Sequence, residues 1–359
     1  MESNRIINYM EAIREGIDLC LEKYPSVFII GPGVPDPKGV FGTTLNLVDK
    51  YGPGRVLDMP LSENGITGVC IGAALTGMRP IMVYQRMDFA LLAIDELINN
   101  AAKWHYMFGG WCEVPLVTRL IIGRGWGQGA QHSQNLQALY AHIPGLKVVM
   151  PTTPYDVKGL LISSIEDNNP VIFIEHRWLY NMYEHVPEAM YRVPIGKSKI
   201  IRGGEDITIA STSYMTIESI KASRITEKLG ISPEIVDIRT IKPLDTNLII
   251  ESVKKTGRLL VIDSGWKSGG IAGEVIASVV EEAFDYFKSK PQRIALPDIP
   301  TPTSHSLTRH YYPTYVDIVN KIATMKGIGK EKAEFRKILK SEKSDTPSDI
   351  PELSFTGPF

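Results

Sequence analysis

Leu116-Val-Thr-Arg-Leu-Ile-Ile-Gly-Arg-Gly-Trp-Gly-Gln-Gly-Ala-Gln-His-Ser-Gln134 runs from a short apolar stretch straight into a glycine-rich one. The run Leu116 to Ile122 fits a strand buried on both faces of a parallel sheet. The glycines that follow let a backbone turn sharply and come close to a ligand. They deliver His132 to the end of a loop beyond a strand carboxyl end, which is where ligands sit in open α/β sheets. The loop has no GK[ST] ending and no G-x-G-x-x-G spacing that opens directly into a helix, so neither nucleotide-binding fingerprint is supported.

Similar runs recur on both sides of this stretch. Val27-Phe-Ile-Ile30, Ile81-Met-Val-Tyr84, Val148-Val-Met150 and Val171-Ile-Phe-Ile174 are short, continuous and apolar. Helix-like segments lie between them, near 64–76, 89–107, 135–141 and 154–166, and Ile6, Met10, Ile13, Ile17 and Cys20 recur at helical spacing ahead of them. This βαβ repetition predicts an open, doubly wound α/β domain over 1–195. After the polar turn Arg202-Gly-Gly-Glu-Asp206 the pattern restarts. Ile207–Ala210, Glu234–Asp237 and Leu259–Ile262 read as strands, and 215–229, 246–254 and 270–286 as helices. A smaller α/β domain over 196–330 is expected, followed by a tail, 331–359, whose Ser-Asp-Thr-Pro-Ser-Asp-Ile-Pro run suggests irregular structure.

Composition narrows the function. The chain has 359 residues, 43% of them hydrophobic and 22% charged, with a net charge of -1. Lys+Arg and Asp+Glu nearly cancel, so nothing in the total points to nucleic acid or an anionic membrane. No apolar run reaches the roughly 18 residues of a membrane span, and the first residues lack a basic region followed by an apolar one. A cytoplasmic location is the expectation. Cys20, Cys70 and Cys112 are far apart and show no CxxC spacing, so they read as reduced, mostly core residues, neither a disulfide framework nor a metal cluster. Ser133 lacks a G-x-S-x-G elbow and no H-E-x-x-H occurs, which lowers the serine hydrolase and zinc readings.

Glu63 opens the helix-like run that continues through Val69-Cys-Ile-Gly-Ala-Ala-Leu-Thr76, which reads as buried. An unpaired carboxylate in apolar surroundings costs several kcal/mol or takes up a proton. The plain alternative is an exposed acid favoured by the positive end of a helix dipole. His132 likewise has a plain alternative, since the chain holds seven histidines and a lone one is more often structural.

Taken together, Pro60-Leu-Ser-Glu-Asn-Gly-Ile-Thr-Gly68, Ile94-Asp-Glu-Leu-Ile-Asn-Asn-Ala-Ala-Lys103, His132-Ser-Gln134, Pro144-Gly-Leu-Lys-Val-Val149, Asp167-Asn-Asn-Pro-Val171 and Asp237-Ile-Arg-Thr240 resemble the β subunit of the 2-oxo acid dehydrogenase E1 component. That family covers pyruvate, branched-chain and acetoin enzymes, and the likeness spans about residues 5–325 in unbroken order. It implies a transketolase-like pyrimidine-binding domain, then a transketolase C-terminal domain. It implies thiamin diphosphate shared with an α subunit in an α2β2 heterotetramer, a 2-oxo acid substrate and a lipoyl-bearing E2 as acyl acceptor. No G-D-G…N-N pattern occurs here, so Mg2+ and the diphosphate would be held mainly by the α subunit.

The resemblance also implies roles. Glu63 matches the glutamate that hydrogen-bonds N1′ of the aminopyrimidine, Phe89 the ring that stacks on it, and Gln85 a residue lining the cofactor pocket. His132 matches the histidine acting on the substrate-derived group, a task suited to imidazole because its charge changes near neutral pH. Ser164, Asp167 and Asn169 fall in a segment that binds K+ in some relatives, with a helix-ending turn as the plain reading.

Several positions depart from the family pattern. Gly31-Pro-Gly-Val-Pro-Asp-Pro-Lys-Gly39 replaces the usual acidic segment, Arg86 stands where Phe or Thr is usual, Ser264 replaces a glutamate, and Leu307-Thr-Arg309 replaces Leu-Glu. Arg86 could meet an anionic substrate group bidentately or pair with Asp88. These changes keep open a split thiamin diphosphate enzyme that passes an acyl or two-carbon unit to a sugar or aldehyde. A non-catalytic scaffold is a third reading, opposed by the presence of Glu63, Phe89 and His132 together.

Overall fold

The computed structural model describes residues 5–125, 127–328, 338 and 348–350. Its larger sheet has seven strands in the order Thr240–Lys242, Lys147–Val149, Val171–His176, Val117–Ile122, Arg79–Tyr84, Val27–Ile30, Val56–Leu57. All neighbours are parallel except the first pair. Every residue of Val117–Ile122 and Val171–His176 is buried, as strands covered by helices on both faces must be. Two polar residues survive there because they meet: Arg119 Nη2 donates to Glu175 Oε1 at 2.6 Å, and also to Thr43 Oγ1 at 3.1 Å. Their registers place Arg119 opposite Phe173, two positions from Glu175 on the neighbouring strand, so both point to one face.

The helices Tyr9–Lys23 and Pro154–Glu166 pack together over one face of this sheet. Glu63–Leu75 and the 87–107 segment cover the other. Two expectations need correcting here. The run after Glu63 is buried on one side only, through Thr67, Cys70, Ile71 and Ala74, while Asn64, Gly65, Val69 and Gly72 face outward. The segment expected as one helix over 89–107 is a 3-10 stretch Met87–Ala93, a π-wound stretch Glu96–Ala101 and a short α-helix Ala102–Met107. Asn99 and Asn100 donate from their side chains to the carboxylates of Asp95 (2.5 Å) and Glu96 (2.8 Å), each four residues back, along the π-wound stretch.

The second sheet orders Gln292–Leu296, Leu259–Trp266, Ile207–Ser211, Pro233–Asp237 and Lys199–Arg202, with only the last strand antiparallel. The chain also crosses between lobes. Thr240–Lys242, sequentially within the second half, pairs with Lys147–Val149 at the edge of the first sheet. Just before it, Arg239 Nη1 donates to Asp156 Oδ1 at 2.8 Å, and the Arg239 carbonyl accepts from Met150 N–H at 2.7 Å. Asn135 Nδ2 to Ser264 O and Gln137 Nε2 to Asp263 Oδ1, both 2.7 Å, add a second seam. Ser264 is therefore buried at the lobe junction. Among the described residues no helix is long and apolar enough to cross a membrane.

Candidate active site

The parallel strands Val56–Leu57, Val27–Ile30, Arg79–Tyr84 and Val117–Ile122 lie side by side, and the segments that follow them lead to Glu63, Gln85, Phe89 and His132. Tyr84 closes its strand with a buried ring whose hydroxyl lies 2.6 Å from Thr67 Oγ1. Thr67 donates to the Glu63 carbonyl at 2.7 Å, and Tyr84, 3.2 Å from the same carbonyl, has one hydrogen to share between it and Thr67. The first turn of Glu63–Leu75 is thus pinned to the strand end. Glu63 itself is half-buried, and its carboxylate meets no cation or hydrogen-bond donor among the described residues. That leaves it available to a ligand. Burial pushes the Tyr84 hydroxyl pKa up, so it stays a neutral donor.

The next residue, Gln85, donates from Nε2 to the Pro32 carbonyl at 2.9 Å. Gly33 follows with φ +69, its N–H bound to Asp58 Oδ1 at 3.0 Å; a Cβ there would lie 2.9 Å from Asp36 Oδ2 and 3.3 Å from Gln85 Nε2. The loop from Gly31 folds on itself through further left-handed residues at Gly39, Phe41 and Gly42. Arg86 is buried, donates to the Gln85 carbonyl at 3.1 Å and lies 5.7 Å from the Phe41 ring centroid, which Arg177 approaches to 3.8 Å. Burial lowers its guanidinium pKa, and it forms no ion pair with Asp88 among the described residues.

Asp88 has another partner. Its Oδ1 accepts from Gln134 Nε2 at 2.9 Å and from Gln134 N–H at 3.3 Å. Burial raises the Asp88 carboxyl pKa, with the two Gln134 bonds and nearby His132 opposing. This clasp brings the rings of Phe89 and His132 into an edge-to-face contact, 5.5 Å between centroids at 87°. Phe89 is half-buried on the first lobe's core, and His132 is exposed. Of the predicted residues, the structure therefore joins Phe89 with His132, sets Gln85 directly after the strand Arg79–Tyr84 and puts Glu63 at the start of its helix, whose first turn is tied to that strand end.

The glycine loop that carries His132 is held from outside its own strand. Arg124 lies among three rings, 4.7 Å from Trp178, 4.9 Å from Tyr214 and 5.2 Å from Tyr312, and donates to the Pro313 carbonyl at 3.1 Å. Gly125 N–H donates to Tyr312 Oη at 3.2 Å. His176, stacked on Tyr214 at 5.0 Å, belongs to the same packing; burial and Arg124 lower its pKa to about 3, so it is a neutral structural ring. Sequence reasoning missed Asp88, Gln134, Thr67 and Arg124. Asp88 and Gln134 stand next to or near the named residues, while nothing local marks Arg124.

Ser164, Asp167 and Asn169 lie apart from this site. Ser164 Oγ donates to Leu160 O at 2.7 Å within its helix. The carbonyls of Ile165 and Asp167 both accept from Arg79 Nη1 at 3.0 Å, the Asp167 carboxylate pairs with Lys147, and Asn169 binds Asp167 Oδ1 through N–H (2.9 Å) and Nδ2 (3.1 Å).

Comparison with known proteins accords with this arrangement. Residues 5–182 match the transketolase pyrimidine-binding domain and 196–318 the transketolase C-terminal domain. The chain is 43% identical over 327 residues to an acetoin:2,6-dichlorophenolindophenol oxidoreductase subunit beta of Cupriavidus necator, covering 88% of this chain and 96% of that one. It is 40% identical over 316 residues to a pyruvate dehydrogenase E1 component subunit beta of Rickettsia bellii, covering 88% and 97%. The chain belongs to the E1 β-subunit family. Rice mitochondrial E1 β-2 is similar too, at 42% over 313 residues, covering 86% of this chain and 83% of that one. A solved split-gene transketolase, in an inactive β4 tetramer, shares the fold of this E1 β-family chain at TM-score 0.72 and 21% identity, covering 90% of this chain and 99% of that one. The family and the transketolase-like two-domain fold expected from the sequence both stand.

Proposed function

We propose that this chain is the β half of a thiamin diphosphate-dependent 2-oxo acid dehydrogenase E1 component, active with an α subunit in an α2β2 heterotetramer. In this reading it decarboxylates a 2-oxo acid and passes the acyl group to a lipoyl-bearing E2. The observation that supports it is the Phe89–His132 ring contact, with the Glu63 carboxylate unengaged among the described residues, in a chain about 40% identical to E1 β subunits. When bound, the cofactor supplies the acidic carbon and the electron sink that loss of CO2 requires.

This chain's residues would do the rest. Glu63 holds a proton between its carboxylate and N1′ of the aminopyrimidine, Phe89 offers its ring, and Gln85 borders the pocket. His132 gives or takes a proton at the substrate oxygen, the role for which an imidazole is suited. Arg86, buried beside Gln85, is assigned to an anionic substrate group. Mg2+ falls to the α subunit. K+ at the Ser164, Asp167 and Asn169 segment stays a proposal of the same reading; there the Ile165 and Asp167 carbonyls already accept from Arg79 and the Asp167 carboxylate pairs with Lys147. The division into 1–195, 196–330 and 331–359 and a cytoplasmic location belong to the same proposal; the tail beyond Ile350 lies outside the described residues.

The test is co-purification with the α partner and assay of a panel of 2-oxo acids, with lipoamide, aldehydes and sugars as acceptors. Glu63→Gln should bind the cofactor yet lose its C2-proton exchange, and His132→Ala should keep exchange and lose turnover, each by about 100-fold or more. Full exchange in the Glu63 variant sinks the assignment of Glu63. Turnover only with a sugar or aldehyde acceptor replaces lipoyl transfer with the split-enzyme reading.

A further inference from the structure

Asp349 lies beyond the 196–318 span that matches the family's C-terminal domain, yet it is fully buried. One carboxylate oxygen is 2.6 Å from His305 Nδ1, and the other finds no partner among the described residues. Ser348 Oγ donates to the Thr308 carbonyl at 3.3 Å. On its other side the segment presses on the glycine loop. A Cβ built on Gly125, whose φ is +81, would lie 1.7 Å from the Asp349 carbonyl oxygen. Gly125 is therefore a position where two backbones touch, which only glycine allows. Thr303, from the same second-lobe region as His305, bears on the loop further along: its Oγ1 would be 2.5 Å from a Cβ on Gly129.

We propose that Ser348–Ile350 is a latch that seats the glycine loop against the second lobe, with Asp349 as a positioning residue for His132. Asp349 touches no reacting atom. It acts through the loop: His305 anchors its carboxylate, its backbone fixes Gly125, and the chain from Gly125 leads to His132 and the Gln134–Asp88 clasp. The geometry explains how a loop with so many glycines holds one path: among the described residues, the Arg124 side chain on Pro313 and the backbone of Gly125 on Tyr312 and Asp349 fix one end, and Gln134 on Asp88 fixes the other.

The inference rests on His132 being the acid–base group, and its test separates the two. In the chain assembled with its α subunit, Asp349→Ala should speed amide hydrogen exchange across 123–134 by about tenfold or more, leaving the rest of the first lobe unchanged. It should lower kcat by up to about 100-fold, the scale of a misplaced catalytic group, while KM and cofactor C2-proton exchange hold. Asp349→Asn keeps an acceptor for His305 and should restore both readouts. His305→Ala should match Asp349→Ala, with the double variant no worse. Wild-type loop exchange in Asp349→Ala, or exchange that rises evenly over the whole chain, overturns the latch. Unchanged turnover in His132→Ala would instead remove the role of His132 and leave the exchange result standing.

Discussion

The two sides of the site are held in different ways. Glu63 is fixed within the first lobe, by Thr67 on its own helix and Tyr84 on the adjoining strand end. His132 sits on a loop whose grip comes largely from the second lobe, through Tyr214, Tyr312 and Pro313 around Arg124. The lesson is that the two groups proposed to handle protons can fail independently. Disturbing the lobe contact should impair the histidine side first, whereas disturbing the strand end should impair the glutamate side alone.

Arg124→Ala breaks the comparison most forcefully. It removes a buried cation from three rings together with a hydrogen bond, at a cost of about 2 kcal/mol or more. Denaturant unfolding should register that loss, and turnover should fall while cofactor C2-proton exchange survives. Equal loss of both activities would show the two sides to be coupled. Tyr84→Phe sharpens the other half: losing one buried hydroxyl should cost about 1 kcal/mol and leave amide exchange in the glycine loop unaltered.

A pH dependence probes the lobe junction. Burial, with Asp156 nearby, raises the Asp237 carboxyl pKa from 3.8 to about 7. Between those values the folded chain keeps a proton that the unfolded chain has released, so this group makes stability fall as pH rises from 3.8 to about 7. Asp237→Asn should flatten that part of the stability–pH curve and gain most relative to the parent above pH 7. Thermal melts at pH 5 and pH 8 measure it, and an unchanged slope would show that Asp237 does not titrate there.

Much of the fold was legible because buried parallel strands leave a continuous local signal. Val27–Ile30, Val171–Ile174 and Leu259–Ile262 are apolar whatever their neighbours do, and the structure has strands at each. Thr240–Lys242 was not legible, since a three-residue strand carries too little pattern to reveal that it leaves its own lobe. The 87–107 segment misled for another reason: its apolar spacing suits a helix of any winding, and the structure passes from 3-10 to π to α along it. At the candidate site, Glu63, Gln85, Phe89 and His132 were proposed from family motifs, whereas the contacts of Asp88, Gln134 and Arg124 join partners distant in sequence.

By itself the sequence determined the transketolase-like α/β architecture, the E1 β family and the residue types offered for chemistry. Strand periodicity and short motifs are properties of contiguous residues, so they can be read in one dimension. Tertiary structure alone decided that one face of the Glu63 helix stays exposed, that Arg79 and Lys147 take the oxygens of the Ser164–Asn169 turn, and that Asp349 returns to press on Gly125. Each of these depends on which groups meet across the fold. Burial, ion pairing and backbone contact between distant segments arise only once the chain has closed on itself.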